Sequence, residues 1–268
     1  MQASLVMADV RGTGPGSEGS NTGARRENWS RRIGEALEKD LFVLHAQRIV
    51  DVASGETVRH ELFLRMVDGE GLTPAGEFVL AAEELGSIRE VDRWVAGRAI
   101  EVAAAGHPVD LNLSVRSLDD PLLDLIRHRT GETGADPGDL VLELSEEQLV
   151  VEAEAGEGFV HAVHELGCRI ALDGYVRGGR GSALLNRLPL DFVKIGPRFV
   201  NGLTGDGRRR RKARNAAAKA HVSGQRVIAQ GVEDLMTLQL LQDLGVDEAQ
   251  GYALGRPEPL ESLDRAPA

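Results

Sequence analysis

The fold is decided by residues 139–175, which read DLVLELSEEQLVVEAEAGEGFVHAVHELGCRIALDGY. This stretch opens with a short apolar run, continues through a longer segment of amphipathic helical character, and ends in a second apolar run. The alternation of strand, helix and strand predicts a β–α–β unit, in which the two strands lie parallel in one sheet.

The same alternation extends in both directions along the chain. Strands are predicted at 42–51, 59–66, 108–115, 139–145, 169–175, 191–195, 226–231 and 248–253. Helices are predicted at 74–85, 91–105, 121–130, 147–166, 180–187, 209–223 and 234–244. Eight strands that alternate with helices predict an α/β fold, a TIM-like (β/α)8 barrel. Residues 51–57 are too few for a crossover helix, so the first strand is predicted to be antiparallel to the second.

Composition fits one barrel domain, predicted to span residues 31–268. Residues 1–30, with many Gly, Ser, Thr and Arg and no hydrophobic period over 9–30, are interpreted as a disordered leader or linker. A formal net charge of −11 argues against nucleic-acid binding, and no apolar stretch is long enough for a membrane span. The single cysteine, Cys168, excludes disulfides within the chain and suits a cytoplasmic location.

Polar residues interrupt the apolar runs near the ends of the predicted strands, where barrels of this type carry their functional groups. Glu61, Asn112, Glu143 and Asp173 lie on four successive strands and offer only oxygen ligands, which suits Mg²⁺ or Mn²⁺. Taken singly, each residue fits equally well as a hydrogen-bonded group of the barrel interior. The four together indicate a site for a divalent cation.

Two cationic residues accompany these ligands. Arg65 lies on the same strand as Glu61, and its planar guanidinium suits a phosphate, so the substrate is predicted to be an anion. Lys194 lies inside an apolar run and is predicted to be buried against a carboxylate, which favours a role in the site. The basic run 208–212 is interpreted as the solvated start of a helix; the alternative is a docking patch for an acidic protein partner.

Several segments together form a longer pattern. They are Glu61-Leu62-Phe63-Leu64-Arg65, Asn112-Leu113-Ser114, Glu143-Leu144-Ser145-Glu146, the stretch LPLDFVKI at 188–195, and Gln250-Gly251-Tyr252 with Gly255-Arg256-Pro257. In this order, from Leu41 to Pro259, the chain resembles the EAL domain family of bacterial cyclic di-GMP phosphodiesterases. The name-giving motif keeps its first glutamate and its final arginine but has a different interior.

The resemblance implies hydrolysis of cyclic di-GMP to the linear dinucleotide by two metal ions. It assigns the first Mg²⁺ or Mn²⁺ to Glu61, Asn112, Glu143 and Asp173. It assigns ligand contacts to Gln47, Arg65, Gln250 and Pro257, and catalytic positions to Lys194 and Glu233, the latter supporting the loop after the fifth predicted strand.

The chain departs from the family pattern at three positions that carry carboxylates in the family. They are Gly174, which replaces the second of two aspartates, Gly196 and Gln230. Loss of these groups is expected to leave the second metal unheld and turnover small or absent. The leading hypothesis is a degenerate EAL domain that acts as a nucleotide receptor or a protein-interaction module. The alternatives are a functional, weak Mg²⁺- or Mn²⁺-dependent phosphodiesterase and a scaffold that binds no nucleotide.

The loop at 175–181 also differs from the family. In the family this loop couples dimer contacts to the site, so the altered sequence argues against a homodimer of the usual kind.

Overall fold

The chain folds into a closed barrel, seen in a computed structural model that describes residues 18–69, 71–151, 153–175 and 181–263. Eight strands form the ring in the order β1-β2-β4-β5-β6-β7-β8-β9, and β9 pairs with β1 to close it. These strands are β1 (Phe42–Asp51), β2 (Thr57–Asp68), β4 (Val109–Asn112), β5 (Leu140–Ser145), β6 (Arg169–Asp173), β7 (Phe192–Ile195), β8 (Arg226–Ala229) and β9 (Glu248–Ala249). The predicted TIM-like barrel is confirmed.

Strand β1 runs against its neighbours. It is antiparallel to β2, with Phe42 opposite Met66, and antiparallel to β9, with Val50 opposite Ala249. The six pairings from β2 round to β9 are all parallel. The antiparallel first strand is therefore confirmed, and the start of β1 lies at the same end of the barrel as the carboxyl ends of the parallel strands.

Two short strands extend the sheet beyond the ring. Strand β3 (Gly71–Pro74) pairs antiparallel with β2, and β10 (Glu258–Pro259) pairs antiparallel with β1. Neither strand was predicted, because two to four residues are too few to show a hydrophobic period.

Helices pack around the ring. They are α1 (Glu18–Glu38), α2 (Val79–Leu85), α3 (Ile88–Ala104), α4 (Asp120–Thr133), α5 (Glu146–Val151), α6 (Ala153–Glu165), α7 (Gly181–Arg187), α8 (Pro197–Val200), α9 (Gly207–Val222) and α10 (Leu235–Asp243). The seven predicted helices are found to within about five residues at their ends, whereas α1 and α8 were not among them. The predicted helix at 147–166 corresponds to α5 and α6, on either side of residue 152. Within the described ranges, none of these helices has both the length and the apolar character needed to cross a membrane.

The basic run 208–212 lies in the first turns of α9 and is largely exposed, in agreement with its interpretation as a solvated helix start. Asp206 caps this helix by accepting hydrogen bonds from the backbone N–H groups of Arg208 and Arg209. A capping aspartate at this position offsets part of the unfavourable interaction between the basic residues and the helix dipole.

The first helix corrects the expected leader. Helix α1 begins at Glu18, so residues 18–30 are helical rather than disordered, whereas residues 1–17 lie outside the described part. The reason is a buried apolar side: Trp29, Ile33 and Ala36 are in the core, and the Trp29 ring lies 6.3 Å from the ring of Phe78. Tertiary packing of this kind outweighs a composition that favours disorder.

Candidate functional site

A buried lysine lies at the centre of the site. The Lys194 side chain is fully buried, and its Nζ donates to Glu61 Oε2 at 2.8 Å and to Glu143 Oε1. The prediction that Lys194 is buried against a carboxylate is confirmed, and two carboxylates share it. Asn112 Nδ2 donates to the other oxygen of Glu61, Oε1, at 2.9 Å.

Strand register brings the predicted metal ligands together. Asn112 lies opposite Glu143 in the β4–β5 pairing, and Asp173 lies opposite Lys194 in the β6–β7 pairing. Adjacent residues on parallel strands project to the same side of the sheet, which gathers these side chains at one end of the barrel interior. Glu61 completes the group through its contacts with Lys194 and Asn112.

Burial and charge set the protonation of this cluster. Burial acts to raise the pKa of Glu61, but the Lys194 ammonium and the hydrogen bonds to Glu61 more than offset it, so that pKa is lowered. Burial and the neighbouring Glu61 charge raise the pKa of Glu143 well above its usual value, and burial also raises that of Asp173. Burial would lower the pKa of Lys194, yet the carboxylates around it raise it, so the ammonium stays charged.

The donor set fits a hard divalent cation in its chemistry. It comprises three carboxylates and one amide, and Glu143 Oε2 is buried with no hydrogen-bond partner among the described residues. In the arrangement seen here, the ammonium of Lys194 takes the position between Glu61 and Glu143. Consistent with this, no group of three or more His, Cys, Asp and Glu within the described ranges is arranged to hold a metal ion.

A second charged cluster lies one layer deeper: Arg59 and Asp110 lie two positions before Glu61 and Asn112, and Glu248 lies on β9. Arg59 Nε donates to Asp110 Oδ1 at 2.7 Å, and Arg59 Nη2 donates to Glu248 Oε2 at 2.6 Å. The guanidinium also lies 4.2 Å from the centre of the Phe192 ring. Sequence reasoning missed this cluster, although its signal was present: Asp110 and Glu248 interrupt apolar strands on the same face as Asn112 and Gln250.

Arg65 is a half-buried cation at the mouth of the site. Its Nε is buried without a hydrogen-bond partner in the described part, and no ion pair to Arg65 is formed there. Burial, together with the positive charge of Arg65, lowers the pKa of His45, which donates to the backbone carbonyl of half-buried Pro257. A cation left without an internal partner is available to an anionic ligand.

The two predicted glutamines form one unit. Gln250 Nε2 donates to Gln47 Oε1 at 3.1 Å, and Gln47 Nε2 donates to the carbonyl of Gly255 at 2.6 Å. Gly251, the residue after Gln250, packs so closely on the loop after β8 that a Cβ atom would lie 2.2 Å from the backbone of Val232. This glycine is therefore required for the two loops to meet.

The three positions that depart from the family pattern lie at the same end of the barrel. Gly174 directly follows β6 with a φ of +82°, and a Cβ atom there would meet no other atom within 4 Å. A Cβ atom at Gly196 would lie 4.0 Å from Gln230 Oε1. Side chains at 196 and 230 would thus be neighbours.

Glu233 follows the loop after β8 and is exposed. The loop that it is expected to support includes residues 176–180, which lie outside the described residues, as does most of the altered loop at 175–181. The role of Glu233 stays a prediction.

Solved structures share this architecture. The MucR phosphodiesterase in its c-di-GMP complex superposes with a TM-score of 0.81 at 28% identity, covering 88% of this chain and 99% of that one. The FimX EAL domain of Xanthomonas citri, in complex with c-diGMP, superposes with a TM-score of 0.83 at 25% identity, covering 90% and 97%.

Sequence comparison also finds cyclic di-GMP phosphodiesterases. The cyclic di-GMP phosphodiesterase NbdA of Pseudomonas aeruginosa is 30% identical over 86% of this chain, and PdeB of Shewanella oneidensis is 29% identical over 87%. The chain spans about a third or less of these curated relatives, 30% and 28% respectively. The family model of the EAL domain matches residues 30–257. The chain belongs to the EAL domain family.

Proposed function

We propose that this chain is a degenerate EAL domain in cyclic di-GMP signalling, which binds the nucleotide at the carboxyl end of the barrel but hydrolyses it poorly or not at all. It would act as a nucleotide receptor or as a protein-interaction module. The single observation that carries the proposal is the contrast between an intact Lys194 cluster and the glycines and glutamine at 174, 196 and 230.

The nucleotide would be bound through its phosphates by Arg65 and would also contact the paired amides of Gln47 and Gln250. The half-buried Arg65 guanidinium has no ion-pair partner among the described residues, which supports its assignment to a phosphate. Gln47, Gln250 and Pro257 lie on the same side of the barrel, where β1 meets β9 and β10. The related MucR and FimX structures in complex with c-di-GMP support this choice of ligand.

One divalent cation, Mg²⁺ or Mn²⁺, would be held by Glu61, Asn112, Glu143 and Asp173. When bound, such a cation supplies positive charge that polarises a phosphoryl oxygen. In their ionised forms, the three carboxylates and the Lys194 ammonium carry two net negative charges, which one divalent cation neutralises. Lys194 contacts only Glu61 Oε2 and Glu143 Oε1, so the cation would bind through the remaining carboxylate oxygens, among them Glu143 Oε2.

A second cation has little to hold it. Glycine offers no side-chain oxygen at 174 or 196, and the neutral amide of Gln230 is a weaker ligand than a carboxylate and no base. Two-metal hydrolysis depends on both ions to activate water and to stabilise the leaving oxygen. Slow or absent turnover follows.

Calorimetry with cyclic di-GMP, with and without Mn²⁺, combined with an assay for the linear dinucleotide, tests the proposal. We expect binding without product. Rapid metal-dependent hydrolysis that Glu61→Ala abolishes would instead establish a functional phosphodiesterase. Absence of binding under all conditions would leave only the hypothesis of a scaffold that binds no nucleotide.

We expect Arg65→Ala to weaken cyclic di-GMP binding by roughly 10- to 100-fold, because a charge-assisted hydrogen bond is worth about 1.5–3 kcal/mol. Calorimetric Kd values measure the effect. Arg127→Ala is the matched control, since Arg127 is exposed on α4 and pairs only locally with Asp124. Equal affinities of the wild type and the Arg65 variant would refute the assignment of Arg65 to the nucleotide.

A further inference from the structure

A hydrogen-bond network lies behind two of the proposed metal ligands. The backbone after Asn112 leads to Ser114, and the backbone after Glu143 leads into α5, which carries Gln148. Glu83 on α2 joins the two. Its Oε1 accepts from Ser114 Oγ at 2.7 Å and from Gln148 Nε2 at 2.8 Å.

Further bonds fix the same backbone. Gln148 Oε1 accepts from the Val115 N–H at 3.3 Å, and Arg116 Nη1 donates to the backbone carbonyl of Glu83 at 3.0 Å. Asp92 on α3 accepts from the Ser114 N–H at 2.9 Å. The loop after β4 is therefore held by hydrogen bonds from three helices, and the Glu83 carboxylate contacts both this loop and helix α5, the segments that follow the two ligand-carrying strands.

Glu83 itself is placed by a rigid element. Helix α2 starts directly after Phe78, which is fully buried and stacks on Phe42 with ring centres 5.8 Å apart. Gly86, with a φ of +82°, caps the carboxyl end of the helix, and its N–H donates to the backbone carbonyl of Glu83. Because both ends of this short helix are anchored, the carboxylate has a defined position.

Packing alone does not hold the loop. A cavity of about 80 Å³ lies beside it, lined by Val79 and Val91 on the helices and by Asn112, Leu113 and Ser114 on the loop. On that side the loop borders an open pocket and lacks close-packed neighbours. The position of Asn112 therefore depends on its own bond to Glu61 and on the hydrogen bonds that fix the residues after it.

We propose that Glu83 is a positioning residue, which sets the Asn112 and Glu143 side chains for the divalent cation without touching it. The inference rests on the proposed function, because it concerns the cation held by those residues. Groups that orient metal ligands typically change metal affinity by about 10- to 100-fold when they are removed.

The test compares Glu83→Ala and Glu83→Gln with the control Glu84→Ala. Glu84 is the next residue on the same helix, its side chain is exposed, and the control removes the same charge and atoms. We expect Glu83→Ala to weaken Mn²⁺ binding, followed by electron paramagnetic resonance, by about 10-fold or more. Glu83→Gln should bind Mn²⁺ nearly as well as the wild type, because its amide oxygen can accept from both Ser114 and Gln148.

A second measurement separates this inference from the proposed function. Hydrogen exchange of the Ser114 and Val115 amides in the metal-free protein should accelerate in Glu83→Ala and stay unchanged in Glu84→Ala. If the wild type binds neither Mn²⁺ nor cyclic di-GMP, the proposed function fails, and the role of Glu83 toward a cation fails with it; the exchange rates still decide whether Glu83 orders the loop after β4. Unchanged exchange in Glu83→Ala, or an equal loss of Mn²⁺ affinity in Glu84→Ala, would overturn the inference.

Discussion

The double variant Gly174→Asp with Gln230→Glu is expected to form the linear dinucleotide at least about 100-fold faster than the wild type in the presence of Mn²⁺. The change restores two carboxylates at the end of the barrel where the Lys194 cluster lies. A second cation would gain ligands, and a base would be available to water. Product formation, followed by chromatography, measures the effect.

The backbone tolerates this change. Gly174 has a φ of +82°, and Asp and Asn are the side chains that adopt left-handed backbone most readily, while the space for a Cβ atom is open. Gly174→Asn alone is therefore the matched control, because it has nearly the same shape and strain as Gly174→Asp without the charge. If the double variant is no faster than this control, the missing carboxylates are not what silences the site.

The variant Arg59→Met is expected to lower the free energy of unfolding by about 3–5 kcal/mol, because it leaves Asp110 buried without its ion-pair partner and leaves Glu248 with only the half-exposed Arg226. The side chains of Arg59, Asp110 and Glu248 are less than 5% exposed, so water cannot replace the lost guanidinium. Chemical denaturation at pH 8 measures the change.

Arg226→Met provides the comparison. Arg226 also pairs with Glu248, at 3.1 Å, but its side chain is 49% exposed, so its loss should cost no more than about 1 kcal/mol. A deficit in Arg59→Met no larger than in Arg226→Met would show that the buried cluster contributes little to stability.

The deficit of Arg59→Met should shrink as the pH falls. Burial already raises the pKa of Asp110, and removal of the nearby guanidinium raises it further. A carboxyl group with a higher pKa in the folded state than in the unfolded state takes up its proton first in the folded state. Acid therefore favours the folded variant, and its deficit at pH 5 should be smaller than at pH 8.

The barrel was predictable from the sequence because its strands are short apolar runs separated by helical segments. The predicted bounds of β1 match the observed Phe42–Asp51. Its antiparallel pairing follows from the short link to β2. Helix α1 was missed over 18–30 because its stability comes from Trp29 packing against Phe78, a contact about 50 residues distant in sequence. Strands β3 and β10 were missed because, at four and two residues, they are too short to show a hydrophobic period.

The candidate site was predictable in composition but not in contacts. Lys194 within an apolar strand implies a carboxylate partner, and the structure identifies two, Glu61 and Glu143. Which carboxylates it meets depends on strand register, which no local pattern encodes. The link from Glu83 to Ser114 could not be inferred for the same reason, since α2 and the loop after β4 meet only once the barrel has formed.

The antiparallel first strand also affects how the protein is made. During synthesis, β1 and β2 emerge early and can form a hairpin, but the other edge of β1 finds its partners only when residues 248–259 leave the ribosome. For most of translation, one edge of this nascent sheet is open to pairing with other chains. Completion of the fold at the last strands makes residues 248–259 the part on which aggregation during biosynthesis depends.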